Sequence, residues 1–191
     1  MKLLVSLALG GVILAGGAFA ENAGDRAAGK KLAGQCRTCH GIDGKAQIPI
    51  APHIGGEPAD YIVHQLTAFR DGTRTHEMMT IVAKSLTDQQ ILDLAAWYSG
   101  NTISTTLTND PADAPEVCVA CHGVDGIALI PDAPNLAGET NIYIDTQLKA
   151  FRNGKRTQEL MTPIAKELTD VDIRAVADWY SEVQIEIKMV E

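Results

Sequence analysis

The 191-residue chain is poor in aromatic residues, at 5%, and has no surplus of basic ones: 16 Lys and Arg against 24 Asp and Glu leave a formal charge of -8. A phosphate-binding surface needs the opposite balance, which excludes nucleic acid as a partner; a redox protein with a basic patch suits this surface better. Cysteine is equally sparse. All four cysteines fall in two copies of one Cys-x-x-Cys-His pentad, "CRTCH" at Cys36–His40 and "CVACH" at Cys118–His122. Between the copies nothing resembles an enzyme's acid, base or nucleophile. Strand-like alternation is missing too, except in the tail at 184–191, "QIEIKMVE", to which the sequence assigns no role.

The first 20 residues carry Lys2, an apolar run from Leu3 to about Ala15, and Ala18-Phe19-Ala20 before Glu21. That order predicts a secretory signal cleaved after Ala20 and an exported protein. The alternative is a retained anchor, since Leu3–Ala20 is barely long enough to span a bilayer. No cysteine follows the cleavage site, so nothing supports a lipid anchor.

Sliding the chain on itself by 82 residues aligns Cys36–Ser99 with Cys118–Ser181 without a gap, and 36 of those 64 positions are identical. A repeat of that strength means tandem duplication. "AFRDGTRTHEMMT" (68–80) lies over "AFRNGKRTQELMT" (150–162), and "WYS" at 97–99 over "WYS" at 179–181. Residues 21–99 are expected to form one domain, 100–114 a polar linker, and 115–191 a second domain. Each unit is small for an unaided hydrophobic core, and a bound cofactor would supply the missing apolar mass.

Helical spacing dominates both copies, and the expected fold is all-α. Thr87 with Gln90, and more loosely Thr169 with Asp172, start a final helix in capping-box fashion. Tyr61, Ile62, Leu66 and Phe69, repeated 82 residues on, predict a middle helix ending near Gly72 and Gly154. An opening helix over Asp25–Gln35 leads into the first pentad. The second copy has only Ala114–Val117 before its cysteine, with Pro115 suited to a first turn, so its opening helix should be shorter.

Two thiols separated by two residues, with His directly after, form the pattern for covalent haem attachment. Cys36, Cys39, Cys118 and Cys121 would form thioethers to two haem c groups, with His40 and His122 on the irons. The alternatives are a zinc site, which rarely places His directly after Cys-x-x-Cys, and a redox-active dithiol, which needs a βαβ context. The ligand on the far side decides between electron transfer, favoured by Met, and small-molecule chemistry at an open position. Among Met78, Met79, His53, His64 and His76, only Met79 has a like partner in the second copy, Met161, and these two are the expected second ligands. The carbonyls near Pro49 and Pro52, and near Pro131 and Pro134, could hold the histidine rings, or the prolines could simply stiffen the loops. Arg70, Arg74, Arg152 and Arg156 could pair with haem propionates or be ordinary solvated charges. Trp97 and Trp179 read as core or haem packing.

With both pentads, "HQLTAFRDGTRT" and "TQLKAFRNGKRT", Met79 and Met161 each seven residues before a Leu, and "LAAWYS" and "VADWYS", the chain resembles the cytochrome c4 family of dihaem class I c-type cytochromes from about Asp25 to Val183. The resemblance implies two tandem cytochrome c domains with His/Met-ligated iron and haems close enough for rapid exchange. It further implies a periplasmic carrier, soluble or loosely membrane-associated, between a quinol-oxidising complex and a terminal oxidase or reductase. The chain departs from the family pattern in the abbreviated opening helix of its second half and in the short segment around His76–Met79. The dihaem subunit of flavocytochrome c sulfide dehydrogenase has similar length and layout, which keeps the electron-accepting subunit of a dehydrogenase as the alternative role.

Overall fold

The structure is a computed structural model that describes residues 24–190; the expected export signal at 1–20 lies outside the described residues. Two helical halves follow one another. In the first, α1 (Arg26–Ala33) leads through a turn at Gly34 into α2 (Arg37–His40), followed by α3 (Ala59–Asp71), α4 (Met79–Ala83) and α5 (Asp88–Ser99). The second half has α6 (Glu116–His122), α7 (Asn141–Arg152), α8 (Met161–Glu167) and α9 (Asp170–Ser181). Among the described residues no helix is long and apolar enough to cross a membrane.

Local chemistry accounts for the helix ends. Asp25 caps α1 by accepting from the Ala27 and Ala28 N–H groups. Both final helices start with a complete capping box, Thr87 with Gln90 and Thr169 with Asp172. The shorter Asp172 side chain reaches back to the Thr169 N–H as well as Gln90 reaches Thr87. α3 stops at Gly72, whose φ of 79° takes the left-handed conformation that ends helices at little steric cost. As the sequence predicts, the second half opens with less helix: a 3-10 turn at Pro111–Asp113 stands where α1 would be, and Pro115 caps α6.

Each half builds its own core. Ile62, Leu94, Ala95, Trp97 and Tyr98 pack together with Ala33 of α1 in the first. Ile144, Leu148, Ile173, Val176, Trp179 and Tyr180 do so in the second.

Two features join the halves. The polar segment after α5 and the unassigned tail are both strands: β1 (Thr102–Thr106) pairs antiparallel with β2 (Gln184–Lys188), Ser104 opposite Glu186. The two strands sit 82 residues apart, so the ribbon joins repeat mates about a local two-fold, the self-complementary arrangement of an isologous contact. Met189, just past β2, lies beside the first pentad with Arg37 and Gln47, while Leu107, just past β1, packs on the second core. Each half therefore sends a strand's end onto the other. Ile187 is buried against Gly55, so Ile187→Ala should cost about 2 to 3 kcal/mol and lower the thermal midpoint by several degrees, roughly 5 °C. A midpoint within a degree of the parent protein would mean that the ribbon contributes nothing.

The second feature is a polar seam built from the same pairs read in both directions. The His53 N–H donates to Glu139 Oε1 (2.7 Å) and the Asn135 N–H to Glu57 Oε2 (2.9 Å). His53 Nε2 lies 3.0 Å from the Gly138 carbonyl, and Asn135 Nδ2 donates to the Gly56 carbonyl at 2.9 Å. On the other side of each ring or amide, His53 Nδ1 accepts from Ala46 and Asn135 Oδ1 from Ala128. A neutral imidazole with its proton on Nε2 and an amide thus present the same donor and acceptor. Burial lowers the proton affinity of His53, in keeping with that neutral form.

Candidate cofactor-binding sites

Each pentad closes its helix at a glycine with positive φ, Gly41 and Gly123, both 72°. A Cβ on Gly41 would stand 2.4 Å from the Lys45 carbonyl oxygen, and on Gly123 2.3 Å from that of Ile127, so only glycine lets the chain double back there. The following loop then returns to the pentad: the Gln47 N–H donates to the Cys39 carbonyl and the Leu129 N–H to the Cys121 carbonyl, each at 2.8 Å.

The same loop fixes the histidines. His40 Nδ1 lies 2.9 Å from the Pro52 carbonyl and His122 Nδ1 2.8 Å from that of Pro134. An Nδ1–H donating to a carbonyl leaves the lone pair on Nε2, the form in which imidazole binds iron. Both rings are buried, and desolvation lowers their proton affinity against the opposing effect of the carbonyl contact. Of Pro49, Pro52, Pro131 and Pro134, it is Pro52 and Pro134 whose carbonyls hold the rings. The Pro49 carbonyl instead accepts from the Thr140 hydroxyl of the other half.

Met79 and Met161 each open a short helix, α4 and α8. A pair of repeat mates, His76 and Gln158, positions them. His76 Nδ1 accepts from the Met78 and Met79 N–H groups at 3.3 and 3.4 Å, and Gln158 Oε1 from those of Leu160 and Met161 at 2.7 Å. His76 also lies near enough to His40 to lower its proton affinity further, which brings the Met79 segment and the first pentad to one site. Met161 and Cys118 pack against one core cluster in the second half. Met79 and Met161 are half-buried, whereas Met78 is exposed.

The final helices hold the pentad loops from behind. Trp97 Nε1 donates to the Ile42 carbonyl (2.8 Å) and Trp179 Nε1 to that of Val124 (3.1 Å). The next residue in each copy, Tyr98 or Tyr180, donates to the carbonyl of Gly41 or Gly123. The repeat of "WYS" carried this signal, although sequence alone read the Trp as packing and gave the Tyr no role. Burial raises the Cys36 thiol and pushes that of Cys118 up to about 11.

The arginines divide. Arg70 Nη1 reaches Asp88 (2.7 Å) and the Leu86 carbonyl, and Arg152 reaches Asp170 (2.6 Å) and the Leu168 carbonyl, so both tie the middle helix to the start of the last one. Arg74 and Arg156 meet at the seam, sharing Gln65 and Gln147 crosswise at 2.6 to 3.0 Å. Each also stacks on a phenylalanine of its own half, Phe69 or Phe151. Among the described residues neither has a carboxylate partner.

The donor set fits covalent haem c. Two thiols separated by two residues, an imidazole with Nε2 available and a downstream thioether recur in both halves, and the two seam arginines could meet acidic propionates. The alternatives fit worse. Among the described residues no group of three or more His, Cys, Asp and Glu gathers as a metal site, and the two-stranded antiparallel ribbon is no βαβ unit.

Comparison with known proteins gives the same chemistry. Residues 26–99 match the family model for cytochrome c, and residues 113–179 that for cytochrome C oxidase, cbb3-type, subunit III. The chain is 33% identical to cytochrome c4 of Pseudomonas aeruginosa over 198 aligned residues, covering 93% of this chain and 96% of that one. It is 31% identical to a thiosulfate dehydrogenase electron acceptor of Thiomonas intermedia, covering 80% of each. The crystal structure of reduced recombinant cytochrome c4 from Pseudomonas stutzeri superposes with a TM-score of 0.74 at 28% identity, covering 85% of this chain and all of that one.

Proposed function

The chain belongs to the cytochrome c4 family, and on that premise we propose that it passes single electrons between respiratory redox proteins in the periplasm, with His40 and Met79 holding one haem iron and His122 and Met161 the other. It is a dihaem electron-transfer protein with two covalently bound haem c groups, and not an enzyme. The observation that carries the finer reading is the doubled donor set. In both halves a prolyl carbonyl orients the imidazole, and a side chain three residues upstream of the methionine, His76 or Gln158, holds the backbone from which the thioether projects.

Held by His40 with Met79 and by His122 with Met161, haem c would supply an iron that alternates between two oxidation states, and thioether ligation would raise its potential. The protein's part is positional. Cys36, Cys39, Cys118 and Cys121 would tether the group. The Trp97–Tyr98 and Trp179–Tyr180 pairs keep the histidine loop from shifting. The buried residues of α5 and α9 pack the histidine loops and would keep water from a bound cofactor.

The test is the weak long-wavelength sulfur-to-iron charge-transfer band of the ferric holoprotein. Met79→Ala and Met161→Ala should each remove about half of it while haem content stays at two groups per chain. An unchanged band in either variant, or ready binding of carbon monoxide to the native protein, would overturn the ligand assignment.

A second reading has one observation behind it: a relative covering 80% of the chain serves as the electron acceptor of a thiosulfate dehydrogenase. In that reading the partner upstream is a dehydrogenase. Copurification with a substrate-oxidising enzyme that reduces the cytochrome would favour it; reduction by a quinol-oxidising complex would favour the respiratory role.

A further inference from the structure

The two halves differ where their folds agree most. On the first pentad and the loop that returns to it the surface is largely polar and partly basic, with exposed Ile50 and Met189 as apolar exceptions; on the second it is largely apolar, with Asp132 in place of Ile50. Val117, Val119 and Ala120 stand where the first copy has Gln35, Arg37 and Thr38. Ile127 and Leu129 replace Lys45 and Gln47. Five polar positions have thus become five apolar ones within a repeat that is otherwise more than half identical.

Val117 and Ala120 lie one turn apart on α6 and Leu129 returns beside them, while Val119 and Ile127 are half-buried. Val117 precedes Cys118 and lies one helical turn from Cys121, and the Leu129 N–H donates to the Cys121 carbonyl. Val117 and Leu129 are 64% and 65% exposed, and Leu160, beside Met161, is 55% exposed. The methionine side does not discriminate, since Met78 is as exposed as Leu160. The contrast belongs to the pentad side.

Charge selects the occupant. Residues 24–99 hold eight Lys and Arg against eight Asp and Glu, whereas residues 100–191 hold seven against fifteen. Exposed Glu116 and Glu159 sit directly before Val117 and Leu160. An apolar centre inside an acidic surround matches a partner with an apolar centre inside a basic surround. It opposes a second copy of this chain, which would set one acidic half against another.

We propose that the second half's pentad face is a dedicated docking surface for a redox protein whose contact face is apolar and framed by Lys and Arg, and that the first half's face does not take this partner. The assignment rests on the haem-carrying reading of both pentads and goes further by giving the two sites different partners. Grouped apolar side chains on a water-facing surface mark such contacts, and attraction between opposite charges speeds encounter.

The test follows oxidation of the reduced holoprotein at low ionic strength by two small oxidants: tris(1,10-phenanthroline)cobalt(III), an apolar-flanked cation, and ferricyanide, a hydrophilic anion. Val117→Lys/Leu129→Lys should slow the cobalt complex about tenfold and leave ferricyanide no slower. Gln35→Lys/Gln47→Lys, the same charges at the mates in the first half, should change the cobalt rate by less than about twofold. Val117→Gln/Leu129→Gln should slow it about threefold through lost apolar contact alone. Equal slowing by both lysine pairs, or none with the first pair, overturns the proposal. So does a dimer of the parent protein, seen by sedimentation at micromolar concentration, that Val117→Lys/Leu129→Lys dissociates, because the face would then belong to a second copy. Haem content and the ferric charge-transfer band are recorded on every variant beforehand. Their loss in the parent protein would count against the carrier reading, whereas wild-type spectra with the wrong rate pattern count against the docking surface alone.

Discussion

Replacing Glu57 and Glu139 together by Gln should flatten the stability of the folded protein between about pH 5 and pH 8, where the parent chain loses about 3 to 5 kcal/mol. Both carboxyl groups are buried at the seam between the halves, 4% and 2% exposed. Burial pushes Glu57 up to about 8 against the opposing donation from the Asn135 N–H. Glu139 is held well above the usual carboxylate range by burial first and by Glu57 second, against donation from the His53 N–H. Its second oxygen has no partner among the described residues.

The sign follows from proton counting. The unfolded chain releases both protons near pH 4.5, the ordinary value, while the folded chain keeps that of Glu57 until about pH 8. More protons are bound in the folded state across that window, so the stabilising contribution is complete below about pH 4.5 and is lost as pH rises through the folded value. Gln keeps an acceptor for each N–H and cannot ionise. Urea midpoints at three pH values in the window check this. A parent midpoint that is level or rises with pH would mean that the seam carries ionised carboxylates.

The chemistry of attachment was legible in the sequence because it depends on short spacing: the pentads, the capping residues of α5 and α9, and Gly72 are local signals that need no partner from far away. The repeat also revealed the methionines, since only Met79 has a mate of its own kind. The seam was not legible, for a physical reason. His53 and Asn135 look like a mismatch in the alignment, yet an imidazole and an amide offer the same donor and acceptor at the same two carbonyl and amide partners. Glu57 with Glu139, and Gln65 with Gln147, were identical in both copies. Identity alone does not distinguish a residue kept for its own half from one that reaches across to the other. β1 escaped notice because "TISTT" has one apolar residue; its pairing with β2 depends on a chain segment more than 75 residues away.

Gly29→Val should unfold the first half well before the second, costing it about 4 kcal/mol. Gly29 lies where α1 crosses α5 with the backbones nearly touching: a Cβ there would stand 1.9 Å from the Asp93 carbonyl oxygen and 2.8 Å from Trp97 Cβ. Neither neighbour is the free end of a flexible side chain, so the helices must separate. Separation breaks the Asp25 N–H donation to Asp93 and the Arg26 contacts with the Trp97 carbonyl and Asn101. It also shifts the helix from which Trp97 and Tyr98 hold the histidine loop. The second half is spared because Pro111 of the 3-10 turn stands at the matching position and no α1 equivalent packs on α9. Heating the ferric holoprotein variant should therefore remove the charge-transfer band in two steps of similar size, the first several degrees below the parent transition and the second close to it. One transition at the parent temperature would show that α1 yields without cost. A single transition shifted as a whole would show instead that the seam binds the halves into one cooperative unit, with the ribbon and the paired glutamates transmitting the loss from one site to the other.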